Sequence, residues 1–535
     1  MRRFVRHVAS LIVVTFLAST AVFASARPLQ SAPLADIDAF VESVRKTFDV
    51  PGIAVAVVKD GKVVLAKGYG VRKLGEPTPV DEKTLFGIAS NTKAFTCAAL
   101  AMLVEEGKLA WDDPVIKHVP GFLMYDPYVT REMTVRDLVT HRAGLPLGAG
   151  DLLYFPETDY TRAEIVHRIR FLKPSTSFRS AYNYDNILYL VAGQVIESVT
   201  GKSWDDVIRE RIFVPLGMTA SSTRYSAMLS GNVATPHAPM DGVIRPIAPM
   251  NFDNNAPAGS INSNVEELAR WAIVQLDGGS LESLKPGSKD RLFSAASGKQ
   301  MWSAQTILAV NDPPPGLEAL KTNFAAYGLG WGLSEFRGYK VAAHTGGLPG
   351  YVSQVRLVPD LKLGVIVLTN QEVGVAFAAI TSHVIDAYIG GGKTDWLAAY
   401  QALLAKRTGD ADEVVKKAAA ERAKDTRPSL ALEKYAGTYR DSWRDDVILA
   451  LEGGKLVMRF GRTKQLVGDL EHWQYDTFVV RWRDRSLNAD AYVTFQLKFD
   501  GTIEQVKMAA VSPATDFSYD FHDLLLVPVV EVKPK

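Results

Sequence analysis

Apolar residues recur in more than one rhythm along the 535-residue chain. Ile37, Phe40, Val41, Val44 and Phe48 follow the three-and-four spacing of an amphipathic helix over 36–48, with Asp36 placed to cap it. Residues 52–70, GIAVAVVKDGKVVLAKGYG, set two β-branched runs on either side of Asp60-Gly61, a hairpin signal. Residues 84–103, TLFGIASNTKAFTCAALAML, pass a turn-like Gly87 and then stay apolar on nearly every side, which predicts a buried helix. Residues 111–122 read as a Pro-punctuated loop, and 134–140 as a short helix stopped by HRAGLP at 141–146. Residues 147–180 are irregular and rich in aromatics. Ile187, Leu190, Val191, Val195 and Ile196 mark another helix, and Ser263-Asn264-Val265-Glu266 reads as a capping box that opens one through Leu276. Residues 278–325 carry loop signals.

From Tyr327 the period shortens to that of strands, YGLGWGLSEF and then YKVAAHTGGLPGYVSQVRLVPDLKLGVIVLTN, with 359–364 as a hairpin loop. A helix is expected over 373–389 and a charged one over 396–424, and Thr426-Arg427-Pro428-Ser429 then punctuates the chain. Strands thus bracket a mostly helical middle. The economical fold pairs the early hairpin with the late strands in one antiparallel sheet. The tail beyond Leu432 is β-rich, with turns at Gly453-Gly454 and Asp500-Gly501, and predicts a small antiparallel barrel or sandwich. The expected fold is therefore α/β, of the α+β kind: an antiparallel sheet flanked by helices with an all-helical subdomain over 34–390, a helical linker over 391–429, and a barrel-like domain over 430–530.

Composition adds little but excludes much. Lys+Arg 60 against Asp+Glu 59 gives a net charge of +1, so nothing points to nucleic acid or an acidic partner. Arg2, Arg3 and Arg6, the apolar run 11–23 and Ala24-Ser25-Ala26 have the form of a signal peptide over 1–26. The chain is expected to be exported, periplasmic or secreted, with no membrane span after cleavage; an uncleaved anchor is the alternative. Cys97 is the sole cysteine, which excludes internal disulfides, and its place on the apolar helix suits inert packing.

The chemistry concentrates at the start of that helix. Ser90 and Lys93 are one turn apart on one face. A serine hydroxyl becomes a useful nucleophile when a neighbour takes its proton, and a lysine can do so once burial and nearby cations lower its pKa. Ser43 and Lys46 have the same spacing on an amphipathic helix, so the motif alone decides nothing. Tyr184-Asp185-Asn186 offers a phenol and an amide at i and i+2 before a helix, although Tyr182 and Tyr189 compete for the phenol's place. A phenolate beside a lysine could serve as base, and its hydroxyl could return the proton. His344-Thr345-Gly346-Gly347 follows the strand YKVAA, where glycines allow close backbone approach and a backbone N–H could join that of Ser90 in an oxyanion hole. His344 could donate to a carboxylate or tune the proton chain.

Ser-x-x-Lys, Tyr-x-Asn and His-Thr-Gly in this order, with DDPVIKHVP, TVRDLVTHRAGLP, AGSINSNVEELARWA and YGLGWG between them, resemble the serine β-lactamase and penicillin-binding protein superfamily over residues 34–390. More narrowly the chain is similar to the class C β-lactamase-like, esterase and D-aminopeptidase branch, some members of which carry a barrel-like C-terminal domain. The resemblance implies a β-lactamase/transpeptidase-like fold, Ser90 as acylated nucleophile, Lys93 as its proton partner and Tyr184 as general base or acid. It further implies Asn186, His344, Thr345 and Gly346 as substrate contacts, with the N–H groups of Ser90 and Gly347 as oxyanion hole. His344 stands where penicillin-recognising enzymes have a lysine that helps to bind the substrate carboxylate, which weakens the case for a β-lactam substrate. No catalytic residue is expected in the C-terminal domain.

Rival signals are weak. Gly390-Gly391-Gly392-Lys393-Thr394 resembles the end of a phosphate-binding loop, but Ala387 stands where its first glycine belongs. There is no G-x-S-x-G elbow, and no H-E-x-x-H or Cys/His cluster, so no metal or other cofactor is expected. The expected function is that of an exported serine hydrolase acting on small peptides, amides or esters. A β-lactamase is one alternative, and an inactive protein that binds cell-wall fragments is the alternative of another class.

Overall fold

The computed structural model describes residues 33–392 and 394–529; the signal segment expected at 1–26 lies outside the described residues. The first hairpin forms where the sequence places it. Strands β1 (Gly52–Lys59) and β2 (Lys62–Gly70) join through Asp60 and Gly61, both at positive φ (50° and 73°), the backbone that a two-residue turn between twisted strands requires. The later strands are β3 (Thr306–Leu308), β4 (Ala325–Tyr327), β5 (Gly332–Phe336), β6 (Tyr339–Leu348), β7 (Tyr351–Val358) and β8 (Leu363–Thr369). They complete one sheet in the order β2-β1-β8-β7-β6-β5-β4-β3, and β1 pairs antiparallel with β8 from Ile53 opposite Thr369 to Lys59 opposite Leu363.

The unbroken apolar run of β1 follows from burial on both faces. Ile53, Val55 and Val57 pack with helix α1 (Ile37–Thr47) and the helix over Gly374–Ile389. Ala54, Ala56 and Val58 face the core formed with α2 (Thr92–Glu105), α3 (Ile187–Thr200) and α4 (Val265–Leu276). Helix α2 is buried from Thr92 to Leu103, and its Phe95 ring stacks on Trp271 of α4 with centroids 4.0 Å apart. The structure shifts three local expectations. Asp36 does not cap α1; its carboxylate lies 3.2 Å from Nε2 of His383. Helix α4 is capped by Asn264, whose Oδ1 accepts from Glu267 N at 2.8 Å, while the expected cap Ser263 shares a hydrogen bond with Ser221. A helical turn, Val115–His118, interrupts the expected loop at 111–122, directly after Pro114.

A helix over Trp396–Glu421, mostly exposed and anchored by buried Trp396, Ala399 and Tyr400, leads to the second domain. Eight strands, β9 (Gly437–Asp441), β10 (Asp445–Glu452), β11 (Lys455–Phe460), β12 (Val467–Gln474), β13 (Thr477–Trp482), β14 (Ala491–Leu497), β15 (Ile503–Ala510) and β16 (Val527–Pro528), form an antiparallel sheet. Its order is β15-β14-β13-β12-β11-β10-β9-β16, and paired hydrogen bonds between Val506 and Leu526 bring the two edges into a nearly closed barrel. The barrel packs on residues 147–172 of the first domain. Arg168 reaches Trp443 O (2.9 Å) and the Asp445 carboxylate, and the rings of Phe155 and Tyr519 meet edge to face at 5.3 Å. No helix among the described residues is long and apolar enough to cross a membrane.

Candidate active site

Ser90 sits on a 3₁₀ turn, Ala89–Asn91, two residues before α2 begins. Ala89 takes φ 48°, a backbone that a side chain adopts at some strain, and this sharp entry leaves Ser90 half-exposed between buried neighbours. The turn is pinned from the sheet: Asn91 Nδ2 donates to Ser353 Oγ at 2.8 Å, and that hydroxyl donates to Ile88 O at 2.8 Å.

Lys93 points back to it. Its Nζ lies 2.9 Å from Ser90 Oγ, 2.7 Å from Asn186 Oδ1 and 3.0 Å from the carbonyl of Ala258. Burial pushes its pKa down to about 7, and the nearby carboxylates of Asp151 and Asp185 hold it from falling further. Burial is the main cause of the lowering, with no need of the nearby cations that the sequence suggests. Two of the three partners can only accept. A neutral amine therefore spends both hydrogens on them and turns its lone pair towards Ser90.

Of the three tyrosines at the third position, Tyr184 is the one that meets the serine. Its hydroxyl is near enough to Ser90 for that hydroxyl to temper its pKa, and the Lys93 amine stands 4.9 Å from its ring centroid. Tyr189 instead donates to Val139 O at 2.9 Å. Burial pushes the Tyr184 phenol well above its ordinary range, which favours its neutral hydroxyl over a phenolate. His141, at φ 55°, packs its ring 4.3 Å from that of Tyr184. The Asn186 amide is engaged at both ends, accepting from Lys93 and donating to Asp151 Oδ2 at 3.0 Å.

His344 lies inside β6, which runs on through Leu348, not at a joint after the strand. Its Nδ1 faces the acceptor Thr345 O at 2.6 Å and so carries the proton, and Nε2 accepts from Tyr327 OH at 2.9 Å. Burial and the Lys93 charge push its pKa down to about 3, which makes it neutral and gives it a tyrosine, not a carboxylate, as partner. Gly346 is where β6 crosses the serine turn. A Cβ there would stand 2.2 Å from Ile88 O and 2.9 Å from Ala89 Cβ. Gly347 faces open space.

These groups open onto a cavity of about 930 Å³ whose lining includes Ser90, Tyr184, Asn186, His344, Thr345 and Gly347. Apolar walls come from Met240, Ile247, Met250 and Leu348, and a further wall comes from the barrel through Leu487, Phe517 and Tyr519. Sequence reasoning missed Asp151, His141 and this barrel wall. His141 had a signal in the HRAGLP helix stop. Asp151 lay in a stretch without periodicity, and nothing in the tail's strand pattern marks a loop that reaches a distant serine. Among the described residues, no three His, Cys, Asp or Glu side chains gather as a metal site.

Sheet, helical subdomain and barrel define a protein of the β-lactamase/transpeptidase fold. Residues 37–388 match the Beta-lactamase family, and the chain belongs to it; residues 421–528 match a domain of unknown function, DUF3471. The unguisins hydrolase ungD' of Aspergillus campestris is 30% identical over 431 residues, 75% of each chain. Penicillin-binding protein 4 of Amycolatopsis lactamdurans is 29% identical over 341 residues, covering 63% of this chain and 85% of its own. Among solved structures, the octameric penicillin-binding protein homologue of Pyrococcus abyssi shares the fold at a TM-score of 0.58 and 23% identity, over 92% of this chain and 99% of its own. The D-amino acid amidase of Ochrobactrum anthropi SV3 does so at 0.53 and 22%, over 66% and 99%.

Proposed function

We propose that the protein is an exported serine hydrolase that cleaves small peptides, amides or esters through an acyl-enzyme on Ser90. The observation that carries this reading is the placement of the Lys93 amine, buried, with two obligatory acceptors and its remaining valence directed at Ser90 Oγ. Ser90 Oγ attacks the substrate carbonyl carbon, and its proton passes to Lys93. The N–H groups of Ser90 and Gly347 receive the oxyanion. When the tetrahedral adduct collapses, the bond to the leaving group breaks and the Tyr184 hydroxyl delivers the proton that group requires, itself replenished from Lys93. Water then attacks the ester by the reverse proton path, releasing the acid and restoring Ser90. Asn186 keeps the lysine in place, Thr345 lines the path of the substrate backbone, and Gly346 lets the strand approach the serine turn.

The cavity wall favours substrates without a carboxylate at that position. Glu372, Asp484 and Asp516 are among its lining residues, no lysine or arginine is, and His344 is neutral. The carboxylate of a penicillin would find no cation there, whereas an amine-bearing acyl group would find carboxyl groups and a neutral one would lose nothing. The hydrolase and amidase names among the relatives agree with this class of substrate. Export rests on the signal-like segment 1–26.

The test is intact mass after incubation of the mature chain and Ser90→Ala with a fluorophosphonate, a penicillin and a D-alanyl ester. An adduct on the unsubstituted chain alone, with turnover of the ester and little persistent penicillin adduct, is the expected result. Folded protein that forms no adduct with any of the three would instead support the cell-wall-binding alternative.

A further inference from the structure

Behind the Asn186 amide stands a fully buried carboxylate. Asp151 accepts at Oδ2 from Asn186 Nδ2 (3.0 Å) and from Ser518 Oγ (2.8 Å), and its Oδ1 takes the Tyr154 hydroxyl. This fixes the orientation of the amide. With Nδ2 held by an acceptor, Oδ1 must face Lys93; without that acceptor, the amide could turn over and present a donor to the amine, which would lose one of its two fixed partners. Lys93, Asn186, Asp151 and Ser518 therefore form one hydrogen-bonded chain that starts at the nucleophile's partner and ends in the other domain.

The barrel holds this chain in two further ways. Asp520, also fully buried, accepts from Gly150 N (2.8 Å) and Leu152 N (3.1 Å), so it clamps the 3₁₀ turn Asp151–Leu153 that carries Asp151. Phe517 sets its ring edge against Tyr184, with centroids 6.1 Å apart. The titratable groups around Asp151 are Lys93, Tyr154, Asp516 and Asp520, and burial raises the Asp151 carboxyl to about 7.

We propose that Asp151 is a positioning residue that holds the Asn186 amide oxygen towards Lys93, and that Ser518 of the barrel domain completes it, so that acyl transfer in the first domain requires the docked barrel. The proposal rests on Ser90 and Lys93 acting as described above.

The experiment measures ester hydrolysis against pH, together with fluorophosphonate labelling of Ser90, in the full chain and in Asp151→Leu, Asp151→Asn and Ser518→Ala. Asp151→Leu removes the acceptor and is expected to lower kcat by about a hundredfold, the scale of a misplaced catalytic group. Asp151→Asn retains an oxygen that can accept from Asn186 and is expected to recover most of that loss. It should also move the rising pH limb to lower pH, because the charge that supports protonated Lys93 is gone. Ser518→Ala is expected to lower kcat by about tenfold with KM little changed. Wild-type kcat and pH limb in all the variants that fold would overturn the proposal while leaving Ser90 chemistry intact; Ser518→Ala, at the end of the chain, keeps this decisive should Asp151→Leu not fold. A wild-type chain that neither labels nor turns over would overturn the Ser90 reading itself.

Discussion

Nζ of Lys93 lies 2.9 Å from Oγ of Ser90, where the turn that leads into the buried helix lines the cavity. Lys93 is fully buried and Ser90 half-exposed, so the serine is open to the cavity while the amine is shielded from solvent. Groups that act as one unit lose their effect together. Ser90→Ala and Lys93→Met are each expected to lower kcat/KM for an acyl substrate by at least ~10³-fold, and the double variant to be little worse than the poorer single. A double variant whose loss is the product of the two would show that the residues act independently.

The pH dependence follows from which form of Lys93 can accept a proton. In the proposed mechanism the neutral amine is the base, and burial lowers its pKa to about 7. kcat/KM should therefore rise with pH, tenfold per unit below about 7, and level off above it. His344 adds no limb between pH 5 and 8, because its pKa is pushed down to about 3 and it stays neutral throughout. A rate that falls as pH passes 7 would mean that the protonated amine is the active form and would reverse the assignment of base and acid.

Gly346 and Gly347 are adjacent but differ in what surrounds them. A methyl on Gly346 would meet Ile88 O at 2.2 Å, Ser353 Oγ at 2.6 Å and Ala89 Cβ at 2.9 Å, two of them parts of the serine turn. Gly346→Ala must push β6 off that turn, at a stability loss of about 1–3 kcal/mol and with most of the activity. Gly347→Ala meets nothing within 4 Å and should fold like wild type, its methyl changing KM for bulky acyl groups. Equal melting temperatures for the two variants would contradict this contrast.

Cys97 sits on α2 with Sγ 3.8 Å from Tyr189 OH, and burial raises its thiol to about 12. It should resist iodoacetamide in the folded chain and react only as fast as the chain opens, because the thiolate is the reactive form. Labelling timed against unfolding by circular dichroism checks this. Fast modification of folded protein would require an opening near Ser90.

The sheet and the serine motif were legible because their signals are local. Asp60-Gly61 dictates its turn by backbone conformation, and the apolar run of α2 has no face left for solvent. The middle of the chain was less so, since residues 147–180 take their shape from a partner: Asp520 satisfies the backbone of 150 and 152, and Tyr160 is buried against Arg444. A periodicity argument cannot see a loop whose hydrogen bonds are supplied about 370 residues away. The fate of Asn186 was hidden for the same reason, as its second partner lies in that loop.

Arg444 shows how the two domains are held. Its side chain is fully buried, donates from Nη1 to Tyr160 OH at 3.1 Å and from Nη2 to the Thr463 hydroxyl, and lies over the faces of Tyr160 and Phe460 at 5.3 Å and 5.2 Å. Among the described residues no carboxylate is bonded to it, and burial lowers its pKa, so the guanidinium is desolvated with neutral hydrogen-bond partners, aromatic faces and the Asp520 charge at longer range in return. The Tyr160 hydroxyl has a second partner, the carbonyl of Arg444 itself at 2.5 Å, which no substitution of the side chain removes. Arg444→Met fills most of the volume without a charge to desolvate and is expected to change stability by less than about 1 kcal/mol. Arg444→Ala leaves a cavity at the domain junction and should cost about 3–5 kcal/mol, with loss of hydrolysis if the barrel undocks. Calorimetry of the two variants separates volume from charge. If Met destabilises as much as Ala, the cation contributes more to the junction than its packing does, and the aromatic faces around it supply the reason.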